Sequence, residues 1–184
     1  YPGQTADPVV AADTLNGHKL VSFNGADMAM ALTGSQATPA GDADGLTVAA
    51  VVRFTGATDH KIGTAFHIKD AGLFLGQAFG AGDNVYQWGL ALSSAGRVGA
   101  GARNGDTVAT ARSRRRCLDD GEPHVVVLTY PKKGSNAPLT LTIDGRVTVS
   151  ANYPVGGTMQ NTRILLGGSE NGQARYVTAD IADC

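Results

Sequence analysis

From Leu139 to Val149 apolar and polar positions alternate with a period of two, not 3.6. Pro123-His124-Val125-Val126-Val127-Leu128-Thr129-Tyr130 is apolar and rich in β-branched residues, which predicts a strand. Leu139, Leu141 and Ile143 then share one face, with Thr140 and Thr142 on the other. Asp144-Gly145 supplies the positive φ of a two-residue turn, and Val147 and Val149 continue on the return strand. The same alternation puts Leu46, Val48, Ala50, Val52 and Phe54 on one buried face. It also points Val125, Val127 and Thr129 away from Val126, Leu128 and Tyr130. Turn signals recur throughout: Asn16-Gly17, Asn24-Gly25, Gly82-Asp83-Asn84, Asn104-Gly105-Asp106, Asp119-Asp120-Gly121, Asp144-Gly145 and Asn171-Gly172. This punctuation predicts an all-β sandwich of two antiparallel sheets.

Composition narrows the choice. A chain of 184 residues with 25 glycines and no internal repeat reads as one β domain. Residues 1–14 read as an N-terminal arm whose Val9-Val10-Ala11-Ala12 run is able to form a strand, and 15–184 as the domain proper. The start lacks an initiator Met and reads as a processed or trimmed end. A net charge of −1 names no partner through bulk electrostatics. No apolar run is long enough for a helical membrane span.

Most catalytic chemistry is missing. There is no Gly-x-Ser-x-Gly elbow, no zinc-type Cys/His spacing and no Gly-rich phosphate loop. What remains are three features with two readings each. Arg112-Ser113-Arg114-Arg115-Arg116 is a guanidinium cluster suited to bidentate contacts with the sulfates or carboxylates of an acidic polysaccharide. It is equally suited to a solvated surface paired with Asp119 and Asp120. No aromatics interleave with these arginines, so nucleic acid is not expected. Tyr86 and Trp88 share a side of a strand, either as a sugar-stacking platform or as core. Cys117 and Cys184 form one disulfide or remain two buried thiols. His124, at a strand start, reads as a structural histidine whose ring caps a backbone carbonyl.

The hairpin from Glu122 to Val149 resembles the signature of laminin-G-like jelly rolls, the concanavalin A-like lectin and glucanase class. Leu20 to Asp27, Leu46 to Phe54, Trp88 to Val98, Arg163 to Gly168 and Asp180 to Asp183 resemble further family segments in the same order. The resemblance implies a concanavalin A-like jelly-roll sandwich in an extracellular or cell-surface setting, where a disulfide persists. It implies a non-catalytic module that binds a glycan or an extracellular protein. No cofactor is required, but a structural Ca²⁺ near Asp27 and Asp180 fits the family pattern. Glucanases of this class need a Glu-x-Asp-x-x-Glu strand; the only glutamates here, Glu122 and Glu170, lie in different segments. Alternatives are a structural subunit of an extracellular fibre or surface layer and an accessory domain of a polysaccharide-active enzyme. In the family, the motif that opens at Asp180 begins a long final strand. Its apparent truncation at Cys184 leaves a row of backbone groups open: either the chain is a fragment, or its N-terminal segment covers them, or a second copy supplies the strand through self-association.

Overall fold

The computed structural model is all-β. The structure describes residues 7–15, 17–33, 45–55, 72–78, 86–92, 97–104, 107–113, 118, 120–132, 135, 137–152, 163–168 and 176–183. Its strands form two antiparallel sheets. The seven-stranded sheet runs β1 (Val9–Leu15), β2 (His18–Asn24), β13 (Thr178–Asp183), β4 (Leu46–Phe54), β9 (Pro123–Tyr130), β10 (Pro138–Ile143), β11 (Arg146–Asn152). The six-stranded sheet runs β3 (Met30–Thr33), β12 (Arg163–Leu166), β5 (Gly72–Ala78), β6 (Tyr86–Leu92), β7 (Val98–Asn104), β8 (Thr107–Arg112).

Alternation decides which residues enter the core. Ala50, Val52 and Phe54 of β4 are buried, with Leu46 and Val48 packed against them. Val126, Leu128 and Tyr130 of β9 and Leu139, Leu141 and Ile143 of β10 complete this wall. Trp88, Leu90 and Leu92 of β6, Val98 and Ala100 of β7 and Ala111 of β8 face it from the other sheet. Each fully buried leucine removes enough apolar surface from water to contribute roughly 1.5–3 kcal/mol. On β9, Val125 and Thr129 point outward and are exposed.

The β10–β11 hairpin has the expected turn. Asp144 and Gly145 adopt φ of 50° and 76°, the type I′ pattern, and Ile143 pairs with Arg146. A bulge at Thr148 then shifts the register, because Leu141 opposes Val149 while Thr142 opposes Val147.

Both chain-terminal strands belong to the seven-stranded sheet. Val9–Leu15 is the edge strand β1, so the arm boundary expected at residue 14 falls inside it; β1 pairs with β2 of its own chain. The last described strand lies inside the sheet. β13 is inserted between β2 and β4, with Ala179 opposite both Phe23 and Phe54 and Ile181 opposite both Val21 and Val52. Strand order, which the sequence does not display, puts it inside the sheet.

Gly167 follows β12 at φ 77°, and a Cβ there would lie 2.0 Å from the Phe23 ring. Gly121 has φ 79° with nothing within 4 Å of such an atom. Gly121→Ala carries only the left-handed backbone cost, about 1–2 kcal/mol. Gly167→Ala adds a clash inside the core and is expected to cost at least ~2 kcal/mol more in urea unfolding. Equal losses would show that Phe23 yields freely.

Candidate functional site

Antiparallel pairing collects several segments at one rim of the sandwich. The end of β2 meets the start of β13 (Asn24 opposite Thr178), and the end of β4 meets the start of β9 (Arg53 opposite Pro123). The β10–β11 turn lies beside Val125, since the Asp144 amide donates to the Val125 carbonyl at 2.9 Å. Val177 N–H donates to the Gly167 carbonyl at 3.0 Å and ties the other sheet to this rim.

His124 ends the inward row of β9, beyond Val126, and its side chain is 12% exposed. Its Nδ1 lies 2.8 Å from Asp144 Oδ2 and its Nε2 lies 3.0 Å from Asp120 Oδ1. The ring therefore contacts two carboxylates and not the backbone carbonyl that the sequence suggested. Burial alone would lower the His124 pKa, but the hydrogen bonds and charges of Asp120 and Asp144 outweigh it, and the net shift is upward. Asp120 moves down, chiefly through its hydrogen bond from His124 and then that from the Glu122 amide. Asp144 Oδ1 also accepts the Val125 amide at 2.9 Å, so the carboxylate is anchored independently of the ring.

A second charged row crosses the outer face of the seven-stranded sheet. Ser22, Asp180 and Arg53 are direct cross-strand neighbours on β2, β13 and β4. Ser22 Oγ donates to Asp180 Oδ1 at 2.5 Å. Arg53 Nε and Nη2 donate to Oδ2 at 3.0 and 2.8 Å. Asp180 is only 7% exposed, so its guanidinium partner is what makes a charge tolerable there. Leu15, Leu20, Val51 and Pro123 surround this pair in a depression with room for about one water molecule.

The two aspartates suggested for a Ca²⁺ site each have protein partners. Asp180 holds Arg53 and Ser22, whereas Asp27 closes the turn after β2, where Asn24 Nδ2 donates to Asp27 Oδ1 at 2.6 Å. Among the described residues no group of three His, Cys, Asp or Glu side chains is placed to hold a metal ion. Tyr176 is buried beside Gly168 and Ala29. Its burial, with the charge of Asp27, pushes its phenol pKa up.

Of the arginine cluster, Arg112 ends β8 and is exposed. Ser113 is buried at 1%, donates its amide to the Val98 carbonyl at 2.8 Å and accepts the Val98 amide on Oγ at 3.2 Å. Leu118 is fully buried in the core. Arg114, Arg115, Arg116, Cys117 and Cys184 lie outside the described residues. Trp88 is 3% exposed within the core, so it presents no open ring face for sugar stacking. The stacking reading of the Tyr86 and Trp88 pair is corrected on that ground. A bulge at Gln87 also interrupts the alternation that was to put both on one side, and the Tyr86 side chain lies outside the described ones. Arg53, and the pairing of Asp120 and Asp144 with His124, escaped sequence reading. Cross-strand register brings Arg53 and Asp144 to their partners, whereas Asp120 lies four residues from His124 in the same segment.

The His124 cluster predicts how stability varies with pH. A histidine whose folded pKa is raised contributes stability that is complete below its ordinary value of 6.5 and is lost as pH climbs through the folded value. An aspartate whose pKa is lowered contributes stability above 3.8 that is lost as pH falls through its folded value. Thermal midpoints are therefore expected to be highest between about pH 4 and 6.5 and to decline toward pH 8–9. His124→Gln should remove the alkaline decline. A wild-type midpoint that rises across pH 6.5–8.5 would contradict the assignment.

No protein-family model and no curated protein matches the chain. Solved structures do. Mouse laminin alpha1 chain domains LG4-5 align at TM-score 0.56 and 18% identity, covering 91% of this chain and 40% of that one. The binding domain of Paraclostridial Mosquitocidal Protein 1 aligns at TM-score 0.67 and 10% identity, covering 97% and 41%. The Ruminococcus gnavus IT-sialidase CBM40 bound to alpha2,3 sialyllactose aligns at TM-score 0.54 and 16% identity, covering 84% and 88%. This chain thus spans about two fifths of the laminin and mosquitocidal chains. At such identities the likeness is one of fold: the chain has the laminin-G-like, concanavalin A-like jelly-roll fold.

Proposed function

We propose that this protein is a non-catalytic binding module, working outside the cell, whose ligand is an acidic glycan held by the arginines that follow β8. The observation that carries the reading is the pair of anchors around them. Arg112 is exposed, the next residue, Ser113, is bonded twice to Val98, and Leu118 is buried in the core. Three of the four residues between those anchors are arginines. Guanidinium groups suit the planar oxygens of sulfate and carboxylate, and charge-assisted contacts of this kind survive at an exposed rim when several act together. Two of the similar folds are named for binding, the mosquitocidal binding domain and the sialyllactose-bound CBM40, which supports a binding module over an enzyme. Glu122, in the turn before β9, is exposed, and its amide serves Asp120. Glycosidase chemistry instead requires two carboxyl groups about 5–10 Å apart across a substrate.

Chromatography on immobilised heparin tests the proposal. Retention is expected at low salt and should fall steeply as ionic strength rises, since exposed charge contacts are screened within about 10 Å at 0.1 M salt. Replacing Arg114, Arg115 and Arg116 together by Ser should abolish retention while leaving the thermal midpoint near that of the wild type. A wild-type protein that passes unretained at low salt would overturn the glycan reading.

A further inference from the structure

We propose that His124 is a proton-operated latch between the turn preceding β9 and the β10–β11 turn, closed as the imidazolium and released at Asp120 when the ring loses one proton. Ionised carboxylates only accept hydrogen bonds. Both ring nitrogens stand at bonding distance from carboxylate oxygens, 2.8 Å to Asp144 and 3.0 Å to Asp120, so both need a proton for both contacts to attract. A neutral ring keeps a single N–H and turns a lone pair on the other carboxylate.

Which contact opens follows from what else holds each carboxylate. Asp144 accepts the Val125 amide on Oδ1, and its own amide donates to the Val125 carbonyl, both at 2.9 Å. It stays on β9 whatever the ring does. Asp120 is exposed and uses one oxygen, Oδ1, for both His124 Nε2 and the Glu122 amide. The neutral ring therefore retains Nδ1–H toward Asp144 and lets Asp120 go. Among the described residues, no second cation bonds Asp120 in place of His124. Glu122 on the same turn and Arg146 on the hairpin are exposed, as is Arg112 on the facing sheet, and Arg53 of β4 projects from the opposite sheet face toward Asp180. The upward shift of His124 and the downward shift of Asp120 agree with a closed latch at mildly acidic pH. For the acidic-glycan reading, on which this consequence alone rests, opening removes a positive charge and bares a carboxylate on the segment that joins β8 to β9. Retention of the ligand should weaken as pH rises.

The test is nuclear magnetic resonance on the full labelled chain without ligand, from pH 5.5 to 8.5. The latch predicts that both His124 nitrogens carry protons at the acid end and that Nδ1 alone does at the alkaline end. The Asp120 carboxyl resonance should follow the same midpoint. Hydrogen-exchange protection of the Glu122 amide, corrected for intrinsic rates, should fall about fivefold, the worth of one ordinary hydrogen bond. Protection of the Val125 amide should stay constant. In Asp120→Asn the carboxamide donates to the neutral ring, so Glu122 protection should lose its pH dependence. Unchanged Glu122 protection in the wild type, or loss at Val125 in its place, would overturn the latch. Heparin retention measured across the same range separates the two claims. Its absence at every pH refutes the ligand, not the latch, while constant retention through an observed opening refutes the coupling.

Discussion

The structure depends on the insertion of the last described strand between two early ones. β13 pairs with β2 on one side and β4 on the other, and without it the seven-stranded sheet would be two separate pieces. One piece, β1–β2, would be an isolated hairpin, which is marginal in water at best. The inward residues of β13, Ala179 and Ile181, join the core cluster, and its outward residue Asp180 binds a side chain from each neighbour. Backbone pairing, apolar burial and ionic pairing thus converge on one short segment. Its contacts are also the most distant in sequence, so closing them carries a large loop entropy that the finished sheet must offset.

That closure explains the chemistry of the rim. Once the strands are in register, Asp180 lies between Ser22 and Arg53, and Asp120 and Asp144 both lie against His124. The fold handles these charges by giving them cations: Arg53 for Asp180, and the protonated ring of His124 for Asp120 and Asp144. The first pair is sheltered on a sheet face beside Leu15 and Leu20, and its cation does not titrate. The second is at the rim and its cation does. One ion pair therefore serves as a constant strut, while the other responds to pH in the range where histidine changes charge.

Much of the fold was legible in the chain. The period-two faces of β4, β9 and β10 and the Asp144-Gly145 turn were readable because side-chain alternation and positive φ are local properties. Leu20 was not. It shares the outward face with Ser22, yet is 2% exposed: it sits where β1 breaks register between Val10 and Thr14 and lines a depression with Leu15, Val51 and Pro123. Bulges carry no reliable signal in a single sequence, and the one at Gln87 likewise separates Tyr86 from the alternation that Trp88 obeys. At the rim, the sequence marked His124 and Asp180 as noteworthy residues but not their partners. Arg53 lies 127 positions from Asp180, and Asp144 lies 20 from His124. Only strand order supplies those neighbours.

Equilibrium urea unfolding of a chain ending at Val177 shows whether β13 completes the sheet. Loss of the cooperative transition of the 184-residue chain, or a much smaller slope, is expected, as less surface is buried in the folded state. A shortened chain that unfolds with an unchanged midpoint and slope would contradict it.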